Sequence, residues 1–226
     1  MELSTQITAT TSSEAVETSK ETSAGYATVK APKQRPSAFV SIHVANEKIL
    51  DEVRTIQQQL LDAFPSFAAY LQPLESLHIT LSLTAFKKEQ LEIAKTSLEV
   101  AAVEFRRQLT DGFRLTFANF GVFNKCILFA EVKDDENKLK LLKLKDIIAE
   151  QFEAHQLPIL GEFKTFHPHL SIVRLRYNAV RLNEKWKELV KKEIEFGVED
   201  VTSLRLCAMG INQKTKDYTT LHEVFL

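Results

Sequence analysis

Cysteine is scarce in this sequence, and so is any excess of one charge. The two cysteines, Cys126 and Cys207, each sit in an apolar, strand-like run with no CxxC spacing. They read as reduced core thiols, which excludes a scaffold held together by disulfides. The formal net charge is −1, so the chain exerts no general pull on nucleic acid or an anionic membrane. A phosphate-bearing ligand would have to be recognised by a local site. No run approaches the ~18 apolar residues of a membrane-spanning helix, and no membrane partner is expected. The first residues hold no apolar signal core, and they carry several glutamates but no arginine before Arg35. That argues against a secretory signal and a mitochondrial transit peptide and leaves a cytoplasmic or nuclear location as the expectation. HExxH, clustered acids and Cys/His ligand spacings are also missing, so neither a metal nor a cofactor is expected.

What is present is an ordinary globular balance. Apolar residues make up 44% and charged ones 26% of 226 positions, enough for one core or two packed lobes. Residues 1–36 stand apart: they are rich in Ser, Thr and Glu, nearly lack large apolar residues, and end in a basic "KAPKQRP". They read as a disordered tail and linker, because they cannot bury enough surface to offset ordering entropy. The fold is expected over 37–226.

Within the fold the pattern runs strand–helix–strand twice. "SAFVSIHVA" alternates, with Val40, Ile42 and Val44 on one face and Phe39, Ser41 and His43 on the other. Asn46 is placed to cap a helix bearing Ile49, Val53, Ile56, Leu60 and Phe64. A strand over about 76–84 follows, then a helix with Leu91, Ala94, Leu98, Ala102 and Phe105 on one face. "FRLTFANFGVFNKCILFAEV" reads as two strands turning near Asn124-Lys125. Asp134 and Asp135 open a long helix carrying Leu141, Leu144, Ile148 and Phe152, which ends in a loop with Pro158 and Gly161. A strand from His169 to Arg176, a short helix around Trp186 to Val190 and two or three closing strands complete the chain. The order predicts a duplicated α+β architecture with two lobes.

Two short stretches carry chemistry. "LHITLSLT" contains His78-Ile79-Thr80, and "HPHLSIV" contains His169-Leu170-Ser171, about ninety residues later. Alternation places His78, Thr80, Ser82 and Thr84 on one strand face and Leu77, Ile79, Leu81 and Leu83 on the other. His169 and Ser171 share a face in the same way. An imidazole and a hydroxyl at i and i+2 can both donate to phosphate oxygens. Two such pairs could grip one phosphoryl group, with one histidine as base and the other as acid, since an ordinary imidazole titrates near pH 6.5. His167 is directed like His169 and reads as a flanking residue. His155 is expected at an exposed helix end and His222 in a packing role.

The two H-x-[ST] motifs, with "FVSIHVANEKI", "GVFNKCILFAEV", "GEFKTFHPHLSIVRL" and "LRLCAMG", resemble the two-histidine (2H) phosphoesterase superfamily. Within it the chain resembles the central domain of A-kinase anchoring proteins of the nuclear-localisation type and the 2′,5′-phosphodiesterase branch. The likeness covers about residues 38–226. It implies a bilobal fold, with two antiparallel sheets lining a central cleft and helices outside. It implies His78 and His169 as the catalytic pair and Thr80 and Ser171 as their phosphate-binding partners. It further implies a metal-independent phosphodiesterase acting on 2′,5′-oligoadenylate or a related RNA-type phosphodiester. The alternatives are a non-catalytic module binding AMP or CMP, and a 2′,3′-cyclic nucleotide phosphodiesterase. The expected partner is a short oligoribonucleotide or nucleotide ligand, with a monomer as the expected state and no kinase-anchoring helix after the last strand. Phe39 and Phe123 are candidate rings for stacking a base, an interaction of about 1–3 kcal/mol, with core packing as the competing reading.

Overall fold

The computed structural model describes residues 34–161, 166–175, 181–182, 185–189 and 193–226. Most of the expected N-terminal tail, the end of the strand expected to reach Arg176, and Val190 lie outside them. The elements are β1 (Ala38–His43), α1 (Glu47–Ala63), β2 (His78–Thr84), α2 (Leu91–Gln108), β3 (Arg114–Phe123), β4 (Ile127–Val132), α3 (Glu136–Ala154), β5 (Ile159–Leu160), β6 (His169–Arg174), α4 (Trp186–Leu189), β7 (Glu195–Asp200), β8 (Ser203–Ile211) and β9 (Tyr218–Phe225). They form two sheets, β5-β2-β1-β8-β9 and β6-β4-β3-β7. Every pairing is antiparallel. This is the α+β fold expected, with β5 as an added edge strand in the loop after α3. No helix among the described residues is long and apolar enough to cross a membrane.

Local chemistry sets the element ends. The Asn46 side chain accepts from the Lys48 N–H at 3.1 Å and caps α1. Ile49, Val53, Ile56 and Leu60 are buried at helical spacing. Phe64 falls just past the helix, where its N–H donates to the Leu60 carbonyl and Pro65 begins a 3-10 run to Tyr70. Asp135 caps α3 by accepting from the N–H groups of Asn137 and Lys138. The β3–β4 hairpin turns through Asn124 and Lys125, both at positive φ (50° and 57°), with the Cys126 N–H donating to the Phe123 carbonyl. Positive φ at both central residues is the turn whose twist matches paired strands.

The two strand–helix–strand units are β1-α1-β2 and β4-α3-β6. In each, the second strand lies antiparallel beside the first and carries an H-x-[ST] motif. Helix α1 packs against β6 and β7 of the second sheet, whereas α2 and α3 pack against each other and against strands of the first. Val40, Ile42, Val44, Ile79, Leu170 and Ile172 are all buried in the core. Cys126 and Cys207 are free and buried, as expected.

One expectation for β2 is corrected. His43 pairs with His78, Ile42 with Ile79 and Ser41 with Thr80, but Val40 pairs with Ser82, so Leu81 is an extra residue. The inserted residue breaks the alternation, because cross-strand partners share a face. Ser82 and Thr84 therefore turn toward the core with Val40 and Ala38, and Leu83 turns to the other face opposite Phe39. Both hydroxyl residues are buried. Thr84 Oγ1 donates to the Pro158 carbonyl at 2.9 Å, while Ser82 Oγ has no partner among the described residues. The polar face of β2 consists of His78 and Thr80.

The second motif strand does the same thing at the same place. Glu131 pairs with His169, Ala130 with Leu170 and Phe129 with Ser171, then Leu128 with Val173, so Ile172 is the extra residue. In both strands the bulge comes directly after the hydroxyl residue. Its effect on β6 is to bring Arg174, opposite Ile127, onto the face of Ser171 and His169.

Candidate functional site

The two histidines are held by the same local device. His78 Nδ1 donates to the carbonyl of Ser76 at 2.7 Å, and His169 Nδ1 donates to the carbonyl of His167 at 2.9 Å. A carbonyl only accepts, so each bond keeps the proton on Nδ1 and leaves Nε2 with its lone pair. Thr80 Oγ1 lies 3.1 Å from His78 Nε2 and donates to it. Across the site, Arg174 Nη2 lies 3.5 Å from Ser171 Oγ. Strands β2 and β6 lie against each other, which sets the two motifs side by side.

Burial dominates the electrostatics. It pushes His78 down to about 4, opposed in part by the bond to the Ser76 carbonyl, and the charges of Arg174, His169 and His43 lower it further. His169 is lowered as well, first by burial, then by Arg174 and His167, against the pull of the His167 carbonyl. One guanidinium thus acts on both imidazoles, and His169 acts on His78. At neutral pH the free site holds two neutral histidines beside a fixed cation. A bound phosphoryl anion would favour the protonated forms and reverse part of this shift.

The remaining expected residues fall into place as follows. Ser171 is 7% exposed and Thr80 half-buried, each beside its histidine. Phe39 is only 3% exposed and lies against His78 (5.1 Å between ring centroids) and Tyr218 (4.8 Å), so it offers a base no open face. Phe123 is half-buried, stacks on Phe129 at 4.2 Å and turns its ring edge-on to His169 at 4.9 Å. His167 contributes its carbonyl to His169, and its ring sits edge-on to Phe123. His155 caps the end of α3, bonded to Ser97 and the Gln151 carbonyl, and His222 pairs with Glu99 of α2 at 2.9 Å. Among the described residues, no group of three or more His, Cys, Asp or Glu side chains is arranged to hold a metal ion.

Three neighbours of the site were not expected. Arg174 was hidden by the alternation rule, which puts it on the face opposite His169. His43 lies directly across the ladder from His78, and its own pKa is lowered, chiefly by burial. Tyr218, at the start of β9, meets the His78 ring edge-on at 5.1 Å. It arrives through the order β1-β8-β9, a pairing that no local signal announces.

Comparison with known proteins agrees with this architecture. Human A-kinase anchor protein 7 isoform gamma is 24% identical over 195 residues, covering 81% of this chain and 55% of that protein. The chain therefore spans about half the length of that relative. Among solved structures, TT0787 of Thermus thermophilus superposes with a TM-score of 0.60 at 22% identity, over 84% of this chain and 97% of that one. E. coli LigT in its apo form gives 0.55 at 20% identity, over 85% and 98%. The MHV ns2 PDE domain gives 0.54 at 14%, over 78% and 100%. At such identities these three likenesses establish the fold. The model of the AKAP7 2′5′ RNA ligase-like domain matches residues 36–226, both motif strands included, and with that match the chain belongs to this family and, through it, to the 2H phosphoesterases.

Proposed function

We propose that this protein is a metal-independent phosphodiesterase acting on 2′,5′-linked oligoadenylate or a related short RNA-type phosphodiester. The observation that carries the proposal is the repetition of one half-site: an imidazole held through Nδ1 by the carbonyl two residues back, a hydroxyl two residues on, and a bulge after it. Both half-sites lie on adjacent strands, with Arg174 acting on the charge of both imidazoles. In-line displacement at phosphorus asks for that set: a base, an acid, and donors for the non-bridging oxygens.

His78, the more strongly buried imidazole, is the base. Its Nε2 takes the proton of the ribose hydroxyl next to the phosphate, that oxygen bonds to phosphorus, and a cyclic phosphate forms. The bond from phosphorus to the leaving oxygen breaks, and His169, protonated once the anion is bound, returns a proton to that oxygen. Thr80, Ser171 and Arg174 hold the non-bridging oxygens. On a 2′,3′-cyclic substrate, water takes the place of the hydroxyl. Each proton transfer is worth roughly 10²–10⁴ in rate.

A second reading is a nucleotide-binding module without turnover. It is favoured by the lowered pKa of both histidines, which leaves the free site without a ready acid at neutral pH. E. coli LigT has been solved with 3′-AMP, an instance of such binding on this fold. The deciding experiment offers the purified protein 2′,5′-oligoadenylate, 3′,5′-oligoadenylate and 2′,3′-cyclic nucleotides with EDTA present. Turnover that survives EDTA and is lost in His78→Ala and His169→Ala supports the phosphodiesterase. Tight mononucleotide binding without turnover supports the module, and inhibition by EDTA overturns the metal-free mechanism.

A further inference from the structure

The ladders of the first sheet align a row of polar residues that begins at the site. Thr80 pairs with Ser41, Ser41 with Arg205, and Arg205 with Glu223. Cross-strand partners share a face, so all four lie on the face that carries His78 and Thr80. The row crosses β2, β1, β8 and β9. Two strand spacings separate Thr80 from Arg205, about 10 Å, the reach of one nucleoside from its phosphate. The outer end is a cluster: Arg205 Nε donates to Glu223 Oε1 at 3.1 Å, and Nη1 lies 3.7 Å from Asp217 Oδ2. Ser203 Oγ also donates to Glu223 Oε1, at 2.7 Å. Arg205, Asp217 and Glu223 all act on the charge of His43, the ladder partner of His78, which places them beside the first half-site.

Two features decide what this cluster can take. One guanidinium stands between two carboxylates, so the three groups together are net negative and would repel a second phosphate. Both bonds to Glu223 use Oε1, and among the described residues Oε2 accepts from no donor and Arg205 Nη2 donates to no acceptor. An unused acceptor and an unused donor on two bonded side chains complement a neutral group that presents both a donor and an acceptor. The side chains are 24% (Arg205), 28% (Asp217) and 35% (Glu223) exposed, so a ligand can reach them while their own contacts hold them in place.

We propose that Arg205 and Glu223 form a base-reading subsite, which hydrogen-bonds the pairing edge of the nucleobase whose phosphate lies between Thr80 and Ser171. Nucleobases present a donor and an acceptor side by side on that edge, in an order that differs between bases. The subsite assigns the first sheet to base recognition. It rests on the phosphate-binding role of Thr80 given above.

Calorimetry on the full chain tests this without requiring catalysis. The ligands are the four nucleoside 3′-monophosphates and ribose 3-phosphate, which lacks the base. The proteins are wild type, Glu223→Gln and Arg205→Gln, each checked for an unchanged thermal midpoint. Wild type should rank the four bases and bind the preferred one about tenfold or more better than ribose 3-phosphate. Glu223→Gln should remove the ranking and leave ribose 3-phosphate binding unchanged. If Arg205→Gln does not fold, the Glu223→Gln result alone decides. Equal binding of all four bases, equal loss for the ligand without a base, or no binding of any of the five overturns the subsite. Base ranking in a protein that turns over none of its substrates would leave the subsite standing and remove the phosphodiesterase. Turnover without base ranking would do the opposite.

Discussion

Gln57 of α1 donates through Nε2 to the carbonyl of Ile172 at 3.1 Å, and Ile172 is the extra residue in the bulge behind Ser171. The same nitrogen donates to the Gln72 carbonyl at 2.7 Å, and the Gln72 N–H reaches the Ile172 carbonyl at 3.0 Å. Gln72 Nε2 then donates to Ser76 Oγ, and the Ser76 carbonyl receives His78 Nδ1. Gln57, Gln72 and Ser76 are buried, so a closed polar chain joins the second motif's bulge to the first motif's imidazole.

That chain makes Gln57→Leu informative. It leaves the Gln72 carbonyl buried without its donor, at a cost of about 1–3 kcal/mol. Urea unfolding should show that loss. The kinetic effect expected is a fall in kcat with KM nearly unchanged, since the ligand's own contacts remain while the half-sites lose their fixed spacing. A rise in KM alone would mean that the chain does not position the histidines.

Much of this was legible in the sequence, for a physical reason. His78 and Thr80, or His169 and Ser171, are two residues apart on one strand, and the pleat alone puts them on one face. The Asn124-Lys125 turn and the Asn46 and Asp135 caps are equally local. The bulges at Leu81 and Ile172 were not legible, because only the register with the partner strand creates them. Everything that depends on them escaped as well: the burial of Ser82 and Thr84, and the arrival of Arg174. The row from Thr80 to Glu223 needs the pairing of strands far apart in sequence, for which no local pattern exists.

The pH dependence follows from the lowered histidines. His78 sits at about 4, below the ~6.5 of an unfolded chain, so folding favours its neutral form. The stability this provides is complete above about pH 6.5 and is lost as pH falls toward 4, up to about 3 kcal/mol. His169 is lowered as well. The productive free protein holds one neutral and one protonated imidazole, and with both values lowered that state peaks on the acid side of pH 6.5. The measurement is kcat/KM against pH, with a maximum expected below about 6.5 and the kcat maximum at higher pH, where the bound anion raises both groups. A kcat/KM still climbing above about pH 7.5 would remove the pair as acid and base.

Arg174→Gln separates charge from shape. The guanidinium lowers both histidines, so its removal should raise both pKa values and shift the kcat/KM profile upward. It should also weaken inorganic phosphate binding, since one charge-assisted donor is lost, an effect of about 1.5–3 kcal/mol. Arg174→Lys should recover the profile more than the affinity, because it restores the charge but not the fork. An unmoved profile in Arg174→Gln would place the guanidinium outside the site in solution.

Gly121→Ala probes the wall behind His169, where an added Cβ would meet the Phe129 ring and, at 3.0 Å, Glu131 Oε1. A Cβ at Gly121 would lie 2.2 Å from two atoms of the Phe129 ring, a distance that forces the ring to move. Phe129 is buried, stacks on Phe123 at 4.2 Å and lies 5.1 Å from the His169 ring. A displaced ring therefore presses on the imidazole or on Phe123, and overpacking of this kind costs about 1–3 kcal/mol. The substitution should lower the thermal midpoint and shift the His169 ring resonances in an NMR spectrum, while those of His222, paired with Glu99 of α2, stay in place. If the midpoint falls and His169 does not move, the aromatic wall supports the core alone, and His169 owes its position to the His167 carbonyl.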